Sequence, residues 1–210
     1  MSTALISPLA NRPTLENGDR MSRDEFMWRW EQIPELKHAE LIKGVVYLGS
    51  PVSLAHATFD DLFHRWLVYY TDLVEGFAIS PNATCLLGDD AFQPDLSLRR
   101  VGPAKLVGKY VEESPALIVE IANSSRSYDL GPKLAAYREA GVREYVAVLA
   151  EERRVEWRVL SAARYRLLQP DKDGMMRSPG LPGLWLDTTA VFPPDIKKVK
   201  AAVAQGVRPA

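Results

Sequence analysis

Apolar positions along the chain change period several times, and each change predicts an element. Ser22-Arg23-Asp24-Glu25 forms a capping-box pattern, and Phe26, Met27, Trp30 and Ile33 follow at helical spacing until Pro34, which predicts a short amphipathic helix. Glu40-Leu41-Ile42 and Val45-Val46-Tyr47-Leu48 flank Lys43-Gly44, the signature of a hairpin. Ala55, Phe59, Leu62, Phe63, Trp66, Leu67, Tyr70 and Leu73 then recur every three or four residues, predicting a long helix closed by Gly76. Three short β-prone runs follow, Phe77 to Ser80, Ala83 to Leu87 and Phe92 to Leu98, separated by Pro81-Asn82 and Gly88-Asp89-Asp90.

Beyond a basic loop at 99–114, Ala116 to Ala122 is almost continuously apolar, as expected of a strand covered on both faces. Pro132, Leu134, Tyr137 and Ala140 mark a third helix ended by Gly141. Tyr145 to Leu149, Val155 to Leu160 and Tyr165 to Leu168 predict further strands, the last at an edge. The order predicts an α/β protein of the α+β type, a mixed sheet flanked by helices. Residues 1–21 are expected to form a flexible arm, 22–193 a single domain, and 194–210, with Lys197, Lys198 and Lys200, a basic tail.

Composition narrows the class. The chain has 210 residues, enough for one well-buried core, and a single cysteine, Cys85, which excludes an internal disulfide framework. With only His38, His56 and His64 besides, a structural zinc cluster of Cys and His is excluded too. No secretory leader or membrane span is read in the sequence, so a cytoplasmic protein without membrane contact is expected. G-x-G-x-x-G and G-x-x-x-x-G-K-[ST] strings are lacking, which weakens nucleotide-fold readings.

A formal net charge of -1 argues against nucleic acid, yet it hides a polarity. Residues 1–98 hold 7 basic and 14 acidic side chains, residues 99–170 hold 13 and 9, and residues 171–210 hold 6 and 4. The acidic excess thus lies before residue 99 and the basic excess after it.

Glu120 interrupts the most apolar strand, where an ionised carboxylate requires compensation, either by solvent or an arginine at a strand end or by a functional partner. Asp95, after Pro94, reads alone as a turn or cap residue; beside Glu120 at the ends of adjacent strands it would complete an oxygen-rich pocket suited to Mg²⁺. Lys133 lies on the first turn of a helix, where the dipole disfavours a cation, so it is either solvated or held there for function.

Taken together, Ala39 to Gly44, Ser50-Pro51 with His56, Gln93-Pro94-Asp95, Leu117 to Ile121, Ser124-Ser125, Asp129, Lys133, Tyr137, Gly141-Val142, Glu144-Tyr145, Leu181-Pro182-Gly183-Leu184 and Val191-Phe192 resemble the Uma-type endonuclease family of the restriction-endonuclease-like, PD-(D/E)XK superfamily. The likeness spans roughly residues 22 to 193. It implies a restriction-endonuclease-like mixed sheet and a Mg²⁺-dependent endonuclease hydrolysing DNA, with Mn²⁺ as a substitute. By position, Asp95 matches the aspartate of the PD element and Glu120 the next acid. Ala122 stands where the usual lysine would be, and Lys133 matches a lysine migrated to the following helix.

The resemblance implies that Asp95, Glu120 and the Ile121 carbonyl hold the metal, that Lys133 orients water or offsets charge, and that Glu40 supports a metal-bound water or second ion. His56, Arg126 and Tyr137 are the candidate substrate contacts, although His56 could instead bond backbone at a helix end and Tyr137 could brace the lysine or fill the core. Asp129 is expected to cap the helix. Lys43, Ala122-Asn123, Val146 and Leu149 depart from the family pattern without removing a ligand. Cutting two strands with one site calls for a homodimer or two encounters. A non-catalytic nucleic-acid-binding or accessory protein on the same fold, and an oligomerising structural protein, are the competing readings.

Overall fold

Pro94 divides what the apolar pattern runs together, and the whole architecture turns on that division. In a computed structural model, which describes residues 13–101, 109–122 and 130–208, the run from Phe92 to Leu98 is two strands in two different sheets. Proline lacks the ladder N–H, so pairing stops at it, and the chain crosses from one sheet to the other over Gln93-Pro94-Asp95.

The smaller sheet has four strands in the order β2-β1-β5-β4: β1 (Ala39–Ile42), β2 (Val45–Leu48), β4 (Cys85–Leu87) and β5 (Asp90–Phe92). Lys43 and Gly44, with φ of 54° and 73°, make the two-residue turn the sequence predicts between β1 and β2. Helix α1 (Arg23–Glu31) covers one face of this sheet through Phe26; the Ser22 hydroxyl accepts the Glu25 N–H as the capping box requires.

The six-stranded sheet has the order β10-β9-β8-β7-β6-β3. Its members are β3 (Phe77–Pro81), β6 (Leu96–Arg100), β7 (Leu117–Ala122), β8 (Glu144–Leu149), β9 (Arg154–Ser161) and β10 (Arg164–Leu168). Only the central β7–β8 pair is parallel, and α3 (Pro132–Glu139) makes the crossover that a parallel pair needs. The other pairs are antiparallel.

One face of this sheet is covered by the long helix α2 (Leu54–Leu73), whose Leu62, Phe63, Trp66, Leu67 and Tyr70 are buried at helical spacing. Trp66 meets Trp157 edge to face at 5.5 Å, and its indole N–H donates to the Trp185 carbonyl. The other face carries α3, packed through Ala136 and Tyr137 onto Ile118, Ala122, and Ile42 and Phe92 of the smaller sheet. Period-two alternation therefore sends Val119 and Ile121 to the α2 side and Ile118 and Glu120 to the α3 side.

Two segments are more ordered than the sequence predicts. Residues 13–21, expected within a loose arm, run along β2: the Gly18 N–H donates to Val46 and the Val46 N–H returns to Asp19, both at 2.8 Å, with Leu15 buried. The stretch expected as a basic tail forms helix α4 (Ile196–Val207), capped by Asp195 and packed on α2 through Val199, Ala202 and Val203. Its lysines lie on the remaining faces, so charge masks an apolar stripe. Before it come the short pair β11 (Met175–Arg177) and β12 (Trp185–Asp187) and a single 3₁₀ turn at Thr188–Ala190. Of the 99–114 loop, Arg99 and Arg100 belong to β6 and Val111 bonds to the backbone of Thr84 and Leu86; residues 102–108 lie outside the described residues.

Candidate functional site

The site lies where the two sheets and α3 meet. Glu40 enters from β1 on the face opposite α1, Glu120 from β7 on the α3 side, and Asp95 from the crossover that begins β6. Lys133 enters from above, on the first turn of α3. Glu40, Glu120 and Lys133 are 3%, 4% and 3% exposed, so the lysine is buried rather than solvated.

Burying an ammonium on a helix's first turn is doubly unfavourable, and the compensation is direct. Lys133 Nζ stands 3.0 Å from Glu40 Oε1 and 2.8 Å from Glu120 Oε1. One turn along α3, the Tyr137 hydroxyl donates to the same Glu120 Oε1 at 2.8 Å. Burial holds that phenol well above its ordinary pKa, so it stays a donor. Glu40 Oε1 also accepts the Gln93 N–H at 2.7 Å, which fixes the start of the crossover against the smaller sheet.

Asp95 completes the arrangement from the other side. Its Oδ2 accepts the Ile121 N–H at 2.7 Å, and its Oδ1 faces His56 Nε2 at 3.2 Å. Burial pushes this carboxyl upward, but the His56 hydrogen bond and charge, the Ile121 N–H and the Lys133 charge together hold it below the usual aspartate range. His56 is placed by the N-cap of α2, where its own N–H donates to the Ser53 hydroxyl, and its ring meets the Asp95 carboxylate.

The structure thus joins Glu40, Asp95, Glu120, Lys133, Tyr137, His56 and the Ile121 backbone in one place. Arg126 and Asp129 lie outside the described residues. Three residues without an assigned role border the same site. The Gln93 side chain donates to the Lys37 and Asn82 carbonyls at 3.2 and 3.0 Å. His38 lies within electrostatic reach of Glu40, Lys133, Asp95 and His56, and burial pushes its imidazole below the ordinary histidine pKa. Asp60, one turn after His56 on α2, is pushed upward by burial and by Asp95. Spacing alone marks Asp60 as a neighbour of His56, whereas nothing local marks His38.

Among the described residues, no three His, Cys, Asp or Glu side chains form a ready-made metal cluster. The donors nevertheless fit a hard divalent cation: two carboxylates hold one ammonium, a third, Asp95, lies within its electrostatic reach, and Mg²⁺ is ordinarily held by one or two carboxylates with water and phosphate oxygens. A cleft of about 1030 Å³ lies instead at the opposite end of the six-stranded sheet, lined by Arg99, Arg100, Arg143 and Glu144, and includes none of the clustered acids. No described helix is long and apolar enough to cross a membrane.

A six-stranded mixed sheet with helices on both faces, joined to a smaller antiparallel sheet, is the fold that holds this cluster. The chain has that fold in common with a crystal structure of a putative nuclease belonging to DUF820 from Anabaena variabilis ATCC 29413, with a TM-score of 0.61 at 14% identity, over 87% of this chain and 99% of that one. The Uma2 family, described as putative restriction endonuclease, matches residues 23–189, and the chain belongs to that family. A comparison with curated proteins finds no match.

Proposed function

We propose that this chain is a Mg²⁺-dependent endonuclease that hydrolyses DNA phosphodiester bonds, with Mn²⁺ as a substitute, at a site made of Asp95, Glu120, Lys133 and Glu40. The observation that carries this reading is the buried Lys133 ammonium held at 3.0 and 2.8 Å between carboxylates of two different sheets. A stability role alone does not account for such an arrangement, since a buried ion network is commonly matched or bettered by apolar packing.

Asp95 and Glu120, with the Ile121 carbonyl, would hold the metal. The bound metal supplies a Lewis acid and lowers the pKa of water. Lys133 places its ammonium where negative charge accumulates on the phosphoryl oxygens and orients the attacking water. Glu40 and Tyr137 set the positions of Lys133 and Glu120. The water oxygen bonds to phosphorus and gives up a proton to solvent, the bond from phosphorus to one flanking sugar oxygen breaks, and that oxygen takes a proton from solvent. His56 contacts the substrate, and so does Arg126, which lies outside the described residues.

Plasmid nicking by the purified chain in Mg²⁺ or Mn²⁺, and its loss in EDTA and in Glu120→Gln, is the expected result. Nicking that survives Glu120→Gln unchanged would overturn the assignment.

A further inference from the structure

The hairpin that delivers Glu40 carries a second side chain toward the same site. Ala39 pairs with Leu48, and the Gly49 N–H donates to the His38 carbonyl at 3.3 Å, so the antiparallel pairing continues one residue outward and sets His38 opposite Gly49. Strand alternation then puts His38 on the side of Glu40. The place across the strands is empty of side chain because residue 49 is glycine, and the imidazole occupies it: a Cβ on Gly49 would stand 2.7 Å from His38 Cδ2. The Gln93 amide, donating to the Lys37 carbonyl, anchors the backbone just before it.

The ring is therefore fixed and half-buried, and it lies within electrostatic reach of Asp95, Lys133, Glu40 and His56. Among the described residues its nitrogens have no hydrogen-bond partner, whereas the neighbouring His56 is engaged with Asp95 and Lys133 is held by two carboxylates. A positioned donor at the rim of an anionic site suits an anionic ligand oxygen that approaches beside the reacting centre.

We infer that His38 is a substrate-binding residue whose ring N–H donates to a non-bridging phosphate oxygen of the DNA next to the scissile phosphodiester. This assignment rests on the nuclease reading above. Gly49 acts as its positioning residue by leaving room for the ring.

The test measures binding of a fluorescein-labelled DNA duplex by anisotropy to Glu120→Gln protein, alone and combined with His38→Ala, His38→Gln or Gly49→Ala. Steady-state cleavage by the single His38 variants runs in parallel. The expected outcome is about tenfold weaker binding for His38→Ala, the scale of one hydrogen bond to a charged group, with KM raised and kcat largely kept. His38→Gln, which retains an N–H donor, recovers most of the loss. Gly49→Ala weakens binding through displacement of the ring and adds nothing in the His38→Ala background.

Binding by His38→Ala within about twofold of its parent overturns the assignment. So does an equal loss in the Ala and Gln variants accompanied by a lowered Tm, which marks packing instead of donation. If Glu120→Gln cleaves like the parent, the nuclease reading fails and His38 falls with it; if Glu120→Gln is inactive and His38→Ala binds normally, His38 alone is refuted.

Discussion

Glu120 and Glu144 are both buried carboxylates on the paired strands β7 and β8, and they have opposite surroundings. Glu144 points to the α2 side at the far end of the sheet. Its Oε2 accepts the Trp157 indole N–H at 2.8 Å, and its Oε1 accepts the Ser178 hydroxyl at 2.6 Å and the Gly180 N–H at 3.0 Å. These neutral donors tie the segment leading to β12 onto the sheet. Glu120 instead shares one lysine with a second carboxylate and takes a tyrosine hydroxyl on the same oxygen. A buried acid is thus not in itself a sign of chemistry. Neutral donors around a lone acid make a staple, whereas a cation drawn in between acids of two sheets makes a coupled charged cluster, the kind of setting in which functional sites are found.

Substitutions can break this contrast, and the largest expected effect is on the active cluster. Asp95→Asn should lower DNA nicking on the order of a thousandfold while lowering the urea midpoint only modestly, as shown by plasmid assays and denaturation on one preparation. Glu144→Ala should do the converse. It strands three buried donors and should cost about 3 kcal/mol of folding stability, with nicking per folded molecule retained. A Glu144→Ala protein that is fully stable but inactive would erase the distinction.

Acid titration separates the two acids by sign. Asp95 is depressed in the fold, so its stabilising contribution is present above the unfolded aspartate pKa and is lost as pH falls through the lower folded value. The stability gap between parent and Asp95→Asn should therefore narrow below about pH 4. Burial raises Glu144 in spite of its hydrogen bonds, so its ionisation costs stability at neutral pH, and that cost is relieved as pH falls through the raised value. Relative to Glu144→Gln, the parent should gain stability between neutrality and about pH 4, measured by urea midpoints across the range.

The smallest effect expected serves as a control remote from both acids. The β9–β10 turn is made by Ala162 and Ala163 at φ of 48° and 62°, a conformation that a Cβ disfavours. Replacing the pair by Asn-Gly should raise stability by about 1 kcal/mol and leave DNA nicking unchanged.

Much of this organisation is legible in the chain itself. Period and caps locate α1, the β1–β2 hairpin and α2, and a carboxylate in the apolar β7 run together with a lysine on an unfavourable first turn singles out Glu120 and Lys133. What escapes is non-local. Pro94 marks a break in the run from Phe92 to Leu98, but nothing near Gln93 says that its N–H leaves the ladder for Glu40 or that the two parts join different sheets. His38 gains meaning only from the glycine across the hairpin. The α4 stripe of Ile196, Val199, Ala202, Val203 and Val207 has helical spacing, but three interleaved lysines give the segment the composition of a basic tail.

The ion pairs of Lys133 have a consequence for the life of the chain before it is folded. Glu40 belongs to one sheet, Glu120 to another, and the lysine to a helix that arrives later in the sequence than either. The cluster therefore comes into being only when all three have docked. A nascent or misassembled chain lacks the cluster, so under the proposed nuclease reading it would have no means of cutting DNA until all three elements have come together.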